Sequence, residues 1–219
     1  MLDIRRLRLA SLHGVDGREW PVHGFVIMHP KGAVLVDTGV GGPEKVLTDW
    51  RVVNRTAAEA LGDHGLVPGD IAFVINTHLH FDHCGQNAVF KHAPFYVQRA
   101  ELERARRESR VLTDWFDFAG ASFELLDGDA EVLPGVRVLA TPGHTVGHQS
   151  VVVDGDGDEV LIGDAAYTPA IYGYPDVDPG QLPLGQAADA RAWSSSLKRI
   201  HVARPGRVHF CHHTRVVHG

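Results

Sequence analysis

The sequence predicts an α/β protein in which two β-sheets pack face to face with helices outside. Three observations predict it. Short runs rich in β-branched and aromatic residues fall into two groups, one within residues 4–98 and one within 136–210. Segments of helical period follow strands in both groups. Residues able to bind a metal stand just beyond the ends of four of these runs, which gathers them at one edge of the sandwich.

The elements follow in chain order. Residues 4–9 alternate apolar and charged side chains, as an edge strand does. Strands 22–29 and 33–37 are joined at Pro30-Lys31-Gly32, a hairpin turn. Residues 56–65 carry a helical pattern, and 71–76 reads as a buried strand. Strand 95–98 runs into a helix at 99–107. Here Arg99, Arg104, Arg106, Arg107 and Arg110 alternate with Glu101, Glu103 and Glu108, which reads as a solvated amphipathic face. Strands 136–140, 150–154 and 159–163 follow, the last two joined at Asp154-Gly155-Asp156-Gly157. That turn lacks the remaining ligands of a calcium loop. A helix at 186–201 precedes strand 207–210. Residues 41–54 and 172–185 show no clear period. Long loops near a rigid site often carry substrate contacts, so Trp50, Val52, Phe116, Phe118, Ile171 and Tyr172 are candidates for an apolar substrate pocket.

The chemistry lies in Thr77-His78-Leu79-His80-Phe81-Asp82-His83. Three imidazoles and a carboxylate form a His-x-His-x-Asp-His array, the donor set of zinc and similar ions. Asp82 is read as the N-cap of a following helix. In extended chain His78 and His80 project to one side, while the adjacent Asp82 and His83 must diverge. One pair can then hold one ion and the other pair a neighbour, so the spacing favours two metals. Further donors stand after later strands: His144 past the Pro142-Gly143 turn, Asp164 able to bridge two ions, and His212. Adjacent side chains in extended chain point apart, so His212 and His213 are not both expected to reach one ion.

A length of 219 residues with 44% hydrophobic and 22% charged content fits a single domain covering 1–219. The formal net charge of -6 speaks against a polyanionic partner, so no nucleic acid is expected. The N-terminus holds no apolar run long enough for a signal peptide or membrane span. Cys84 and Cys211 do not read as a disulfide framework, which fits small buried residues and a cytoplasmic location. A homodimer is left open.

These motifs, from about Val22 to His213 and in this order, resemble the metallo-β-lactamase superfamily. Val36-Asp37-Thr38-Gly39 is similar to that superfamily's Asp-Thr-Gly turn, whose Asp supports the metal loops. Within it, His80-Phe81-Asp82-His83, Thr141 to Ser150 and Asp164-Ala165-Ala166-Tyr167 look most like the N-acyl homoserine lactonases. The resemblance implies an αββα four-layer sandwich and two divalent ions, with zinc expected and iron, manganese or cobalt able to serve. His78, His80 and His144 would hold one ion, Asp82, His83 and His212 the other, and Asp164 would bridge them. The reaction implied is lactone opening by a hydroxide shared between the ions. Tyr167 would donate to the developing negative charge and Asp82 would carry the proton. Two positions depart from the lactonase pattern: His213 stands where Asp is usual, and Cys211 where Gly or Ser is usual. A thioesterase or glyoxalase II-like ester hydrolase shares the ligands and is the alternative, although little chain follows His212 for that group's helical region. A redox protein of the same fold would carry Glu in place of His80, and a true β-lactamase would lack His83. A non-catalytic metal-binding module would not keep a complete ligand set.

Overall fold

The structure, a computed structural model, describes residues 1–14, 17–108, 113–176, 179–183 and 185–219. Arg110 and parts of the 172–185 stretch lie outside the described residues. The first sheet contains β1 (Asp3–His13), β2 (Glu19–Met28), β3 (Ala33–Val36), β4 (Val53–Asn54), β5 (Ile71–Ile75), β6 (Phe95–Gln98) and β7 (Phe123–Leu126), in the order β4-β1-β2-β3-β5-β6-β7. The second contains β8 (Ala130–Leu133), β9 (Val136–Ala140), β10 (Gln149–Val153), β11 (Glu159–Leu161), β12 (Arg207–His209) and β13 (Val217–His218), in the order β13-β12-β11-β10-β9-β8. Both sheets are mixed. Pairs β3–β5, β5–β6, β6–β7 and β11–β12 are parallel. Beyond a two-residue pairing with β4, at Ala10 and Ser11, the outer side of β1 is an edge.

Strand alternation builds the layers. Phe25, Ile27, Val34, Val36 and Ile75 face inward from the first sheet and meet Val136, Val138, Val151, Val153 and Leu161 of the second. The intervening Val26, Leu35 and Val74 face outward, onto Ala57, Ala60 and Leu61 of helix α2. On the far side Val152, Val160 and Val208 pack against Trp193, Leu197 and Ile200. The result is the four-layer αββα sandwich. Burial of each large apolar side chain contributes about 1.5–3 kcal/mol.

The helices are α1 (Glu44–Asp49), α2 (Ala57–Gly62), α3 (Phe81–Cys84), α4 (Arg99–Glu108), α5 (Pro169–Tyr172) and α6 (Ala190–Val202). Helix α2 opens on a capping box between Thr56 and Glu59. Helix α6 starts at Ala190 rather than Gln186, because the Asp189 carboxylate accepts from the Arg191 and Ala192 amides. Asp82 is not the cap of α3: that position belongs to His80, and Asp82 turns inward from the first turn. The helix of alternating charge is solvated on one face only, since Glu101 is fully buried. Strands β4, β7, β8 and β13 and helices α1 and α5 were not anticipated, and α3 begins before Asp82 rather than after it; all are short. No helix among the described residues is long and apolar enough to cross a membrane.

Candidate metal centre

Four chain crossings bring the donors together. The loop after β5 supplies His78 and His80 and runs into α3 with Asp82 and His83. The turn after β9 supplies His144, the end of β11 leads to Asp164, and the chain beyond β12 reaches His212. Two glycines permit the close approach. A Cβ on Gly85, just past α3, would sit 1.8 Å from the Gly41 nitrogen. Gly143 has φ +136°, and its Cβ would collide with the Trp193 backbone of α6 at 2.3 Å.

Asp37 organises the first loop. It follows β3 in the left-handed region at φ 59°, a strained backbone for a residue other than glycine. Its carboxylate accepts from the Thr77 amide and hydroxyl, both at 2.8 Å, and from His83 Nδ1 at 2.8 Å. His83 Nε2 is then the free nitrogen that points into the centre. The same device recurs twice. His144 Nδ1 donates to the Gln186 carbonyl at 3.3 Å, and His212 Nδ1 donates to the Pro21 carbonyl at 2.9 Å. Each outer nitrogen is engaged, so each inner nitrogen is the one left to face the centre.

The inward atoms form two ends. At one, His78 Nε2, His80 Nδ1 and His144 Nε2 face each other at 2.9–3.2 Å. At the other stand Asp82, His83 and His212, with Asp82 Oδ2 3.8 Å from His83 Nε2 and 3.6 Å from His212 Nε2. Asp164 lies between. Its Oδ2 is 3.3 Å from His144 Nε2, while its Oδ1 is 3.3 Å from His83 Nε2 and 3.2 Å from His212 Nε2. His83 Nε2 and Asp164 Oδ1 are buried without a hydrogen-bond partner. Orphaned buried groups of this kind are costly in protein alone. Facing imidazole lone pairs and an orphaned carboxylate oxygen suit divalent cations, and each end offers a donor group within reach of a common point.

The protonation equilibria separate the ends. Burial lowers the pKa of His78 and of His144, and brings His80 to about 4. Burial also opposes charge on His83 and His212, but neighbouring carboxylates outweigh it and raise both, Asp164 acting most strongly on each. Burial works against the Asp164 carboxylate too, yet His83, His212 and His144 hold it well below the usual carboxylate range. Asp37, His83 and Cys211 form a further group. It is a poorer cation site, because the Asp37 oxygens are already engaged and burial pushes the Cys211 thiol up to about 12. Both cysteines are free and buried, and Cys84 donates to the His80 carbonyl.

His213 lies apart from the cluster, where its Nδ1 accepts from the Arg215 amide. His209 pairs with Glu159 at 2.8 Å. Tyr167 is partly buried, its ring edge-on to His144 at 5.7 Å and to His212 at 5.4 Å. The six candidates for an apolar pocket take different places. Phe116 and Tyr172 are buried in the core, while Phe118, Val52 and Ile171 pack against it. Trp50 lies tilted against Phe81.

Three supporting residues were missed. Glu101 of α4 accepts from the Leu79 amide at 2.9 Å, the Thr145 hydroxyl at 2.6 Å and the Gly147 amide at 3.2 Å, so it ties the first histidine loop to the loop bearing His144. Gln186 donates to the Asp164 carbonyl at 2.7 Å and accepts from the Tyr167 amide at 3.1 Å. His148 Nε2 accepts from the Asp164 amide at 2.9 Å. One signal for Glu101 was available: it stands four residues before the buried Ala105, on the apolar stripe of its helix.

Comparison with known proteins agrees with this geometry. The sequence pattern of the Metallo-beta-lactamase superfamily matches residues 17–212. An N-acyl homoserine lactonase of Bacillus sp is 36% identical over 197 residues, covering 82% of this chain and 75% of that protein. An N-acyl homoserine lactonase of Bacillus cereus is 34% identical over 165 residues, covering 68% of this chain; the chain spans 65% of that relative's length. Among solved structures, a quorum-quenching N-acyl homoserine lactone lactonase superposes with a TM-score of 0.79 at 27% identity, covering 95% of this chain and 91% of that one. An N-acyl homoserine lactone hydrolase with N-hexanoyl-L-homoserine bound at its catalytic metal centre superposes with a TM-score of 0.75 at 27% identity, covering 96% and 92%. With its fold, its motif order and these relatives in agreement, the chain belongs to the metallo-beta-lactamase superfamily.

Proposed function

We infer that the chain is a metal-dependent hydrolase that opens lactone rings, with N-acyl homoserine lactones as the substrate class. One observation carries the reading: Asp164 turns one carboxylate oxygen toward each end of the histidine cluster, and Tyr167, three residues later, lies edge-on to both ends. The relatives named above, lactonases at 34–36% identity, support the same chemistry.

His78, His80 and His144 would hold one divalent cation, Asp82, His83 and His212 a second, and Asp164 would be shared; the nitrogen-and-oxygen donor set suits zinc. Such ions supply Lewis acidity and acidify bound water. The remaining work falls to the protein. Burial, reinforced by the Asp164 and Asp82 carboxylates, raises the Tyr167 pKa, so its hydroxyl stays protonated. It is then a fixed donor for the oxyanion that develops when water adds to the ring carbonyl. Asp82 is buried beside His83 and His212. Its carboxylate is the base placed to take the proton of the attacking water and return it to the ring oxygen as the C–O bond breaks. Ser196 donates to the Pro142 carbonyl and Ser194 to the Pro175 carbonyl, so neither hydroxyl is held by a base.

A pH-indicator assay of zinc-loaded protein against lactones, esters and thioesters tests the reading. Acyl homoserine lactones are expected to be the fastest substrates. Tyr167→Phe should lower their turnover roughly tenfold or more with metal content unchanged. Thioesters turning over far faster than every lactone would replace this reading with the thioesterase one.

A further inference from the structure

Gln186 is fully buried ahead of α6, and its side chain reaches both ends of one short turn. Its amide nitrogen donates to the Asp164 carbonyl at 2.7 Å, and its amide oxygen accepts from the Tyr167 amide at 3.1 Å. A carbonyl and an amide three residues apart are the pair that bonds directly in a closed β-turn. Here a side-chain amide is inserted between them and holds the turn open. A primary amide offers a donor and an acceptor at one end, whereas a carboxylate offers acceptors alone. Other groups hold the rest of the turn. His148 Nε2 accepts from the Asp164 amide at 2.9 Å, and the Trp193 indole donates to the Ala165 carbonyl at 2.7 Å. The Asp164 end therefore stays anchored without Gln186, and the slack falls on Tyr167. The Tyr167 ring meets Trp20, His144 and His212 edge-on at 5.4–5.9 Å. Such contacts are weak, so the ring follows its backbone. The Tyr167 hydroxyl lies 3.5 Å from where a Cβ on Gly185 would stand. The 185–186 segment thus meets Tyr167 at its backbone and at the atom that would donate to the oxyanion.

We propose that Gln186 is a positioning residue: it sets how far the Tyr167 hydroxyl stands from the Asp164 carboxylate, and so where the donor meets the ring carbonyl. The inference rests on the lactonase reading and adds a residue to it. Gln186→Met keeps the side-chain length and removes both hydrogen bonds. On zinc-loaded protein it should lower kcat for an acyl homoserine lactone about three- to tenfold, with KM within about twofold and zinc content unchanged. In a Tyr167→Phe background the same substitution should cost less than about twofold, because the donor it places is already gone. A second measurement needs neither metal nor turnover. The four tyrosines of the metal-free protein are labelled with fluorotyrosine, and the fluorine resonance missing from Tyr167→Phe is that of Tyr167. Gln186→Met should shift that resonance more than the other three. If Gln186→Met fails to fold, Gln186→Glu, which keeps the shape and the acceptor but not the donor, takes its place in both measurements. Equal kcat losses with and without the Tyr167 hydroxyl overturn the proposal, as does a loss of zinc. If the parent opens no lactone while esters or thioesters turn over, the lactonase reading fails, whereas an unmoved Tyr167 resonance sinks the role of Gln186 alone.

Discussion

The two ends of the histidine cluster use similar side chains in different electrostatic settings. The His78, His80 and His144 end contains imidazoles alone, and burial holds all three toward the neutral form. The Asp82, His83 and His212 end contains a carboxylate, and its imidazoles are driven toward the charged form. Asp164 is common to both. Without a cation, one end therefore accumulates facing lone pairs and the other accumulates protons. The difference teaches that a binuclear centre need not be built as two equivalent halves. The charged end offers a cation more Coulombic attraction in a buried setting. It must also release protons to accept one.

The largest expected effect comes from removing what the ends share. Asp164→Ala should lower lactone turnover on the order of 10³-fold and reduce metal content below two per chain. Elemental analysis and kinetics on zinc-reloaded protein check this. Two retained ions with activity within tenfold of the parent would break the shared role of Asp164.

A smaller contrast lies within one end. His212→Ala should strongly weaken cation binding there, whereas His213→Ala, which removes a ring that accepts from the Arg215 amide, should change affinity about 10–100-fold or less. Competition titration with a zinc chelator ranks the two variants. The reverse order would place the ligand one residue further on.

The smallest effect, and the sharpest test of the contrast, is the pH dependence of metal-free stability. His80 has a folded pKa of about 4, below its unfolded value. Its contribution is present above about pH 6.5 and is lost as the pH falls through the interval down to about 4. His212 has a folded pKa raised above its unfolded value. Its contribution is full below about pH 6.5 and fades as the pH rises through the folded pKa. Urea unfolding of chelator-treated protein should show that His80→Asn flattens the acid limb and His212→Asn flattens the alkaline limb. If both variants flatten the same limb, the two ends do not differ in charge.

Much of this was legible in the sequence because the ligands stand next to strong signals. Residues 33–36 and 151–153 are unbroken apolar runs buried on both faces, so their presence as strands could be read directly, though not which face each side chain takes. The ligand candidates lay at strand ends, and the structure brings all seven together. Short edge elements escaped: β4 and β13 are two residues each and carry no period. Asp82 looked like a cap because Asp commonly caps helices, and only the tertiary structure turns it inward. Glu101 was taken for a solvated charge because its neighbours in sequence are charged. Its partners, Thr145 and Gly147, lie more than forty residues away and could not be inferred locally.

The reach of Glu101 bears on how the molecule comes apart. Its helix follows β6 of the first sheet, yet its carboxylate accepts from the Thr145 hydroxyl and Gly147 amide, on the connection between β9 and β10 of the second. The two sheets cannot separate without exposing donors on one and a carboxylate on the other, so heating should melt them as one cooperative unit. Glu101→Ala would leave the Arg104 guanidinium paired with Glu108 alone and the Leu79, Thr145 and Gly147 donors without their acceptor, and should cost about 3 kcal/mol. In calorimetry the parent protein should give equal calorimetric and van't Hoff enthalpies, while the variant should split into two transitions, one per sheet. A single unshifted transition in Glu101→Ala would mean that apolar contact between the sheets alone enforces the cooperativity.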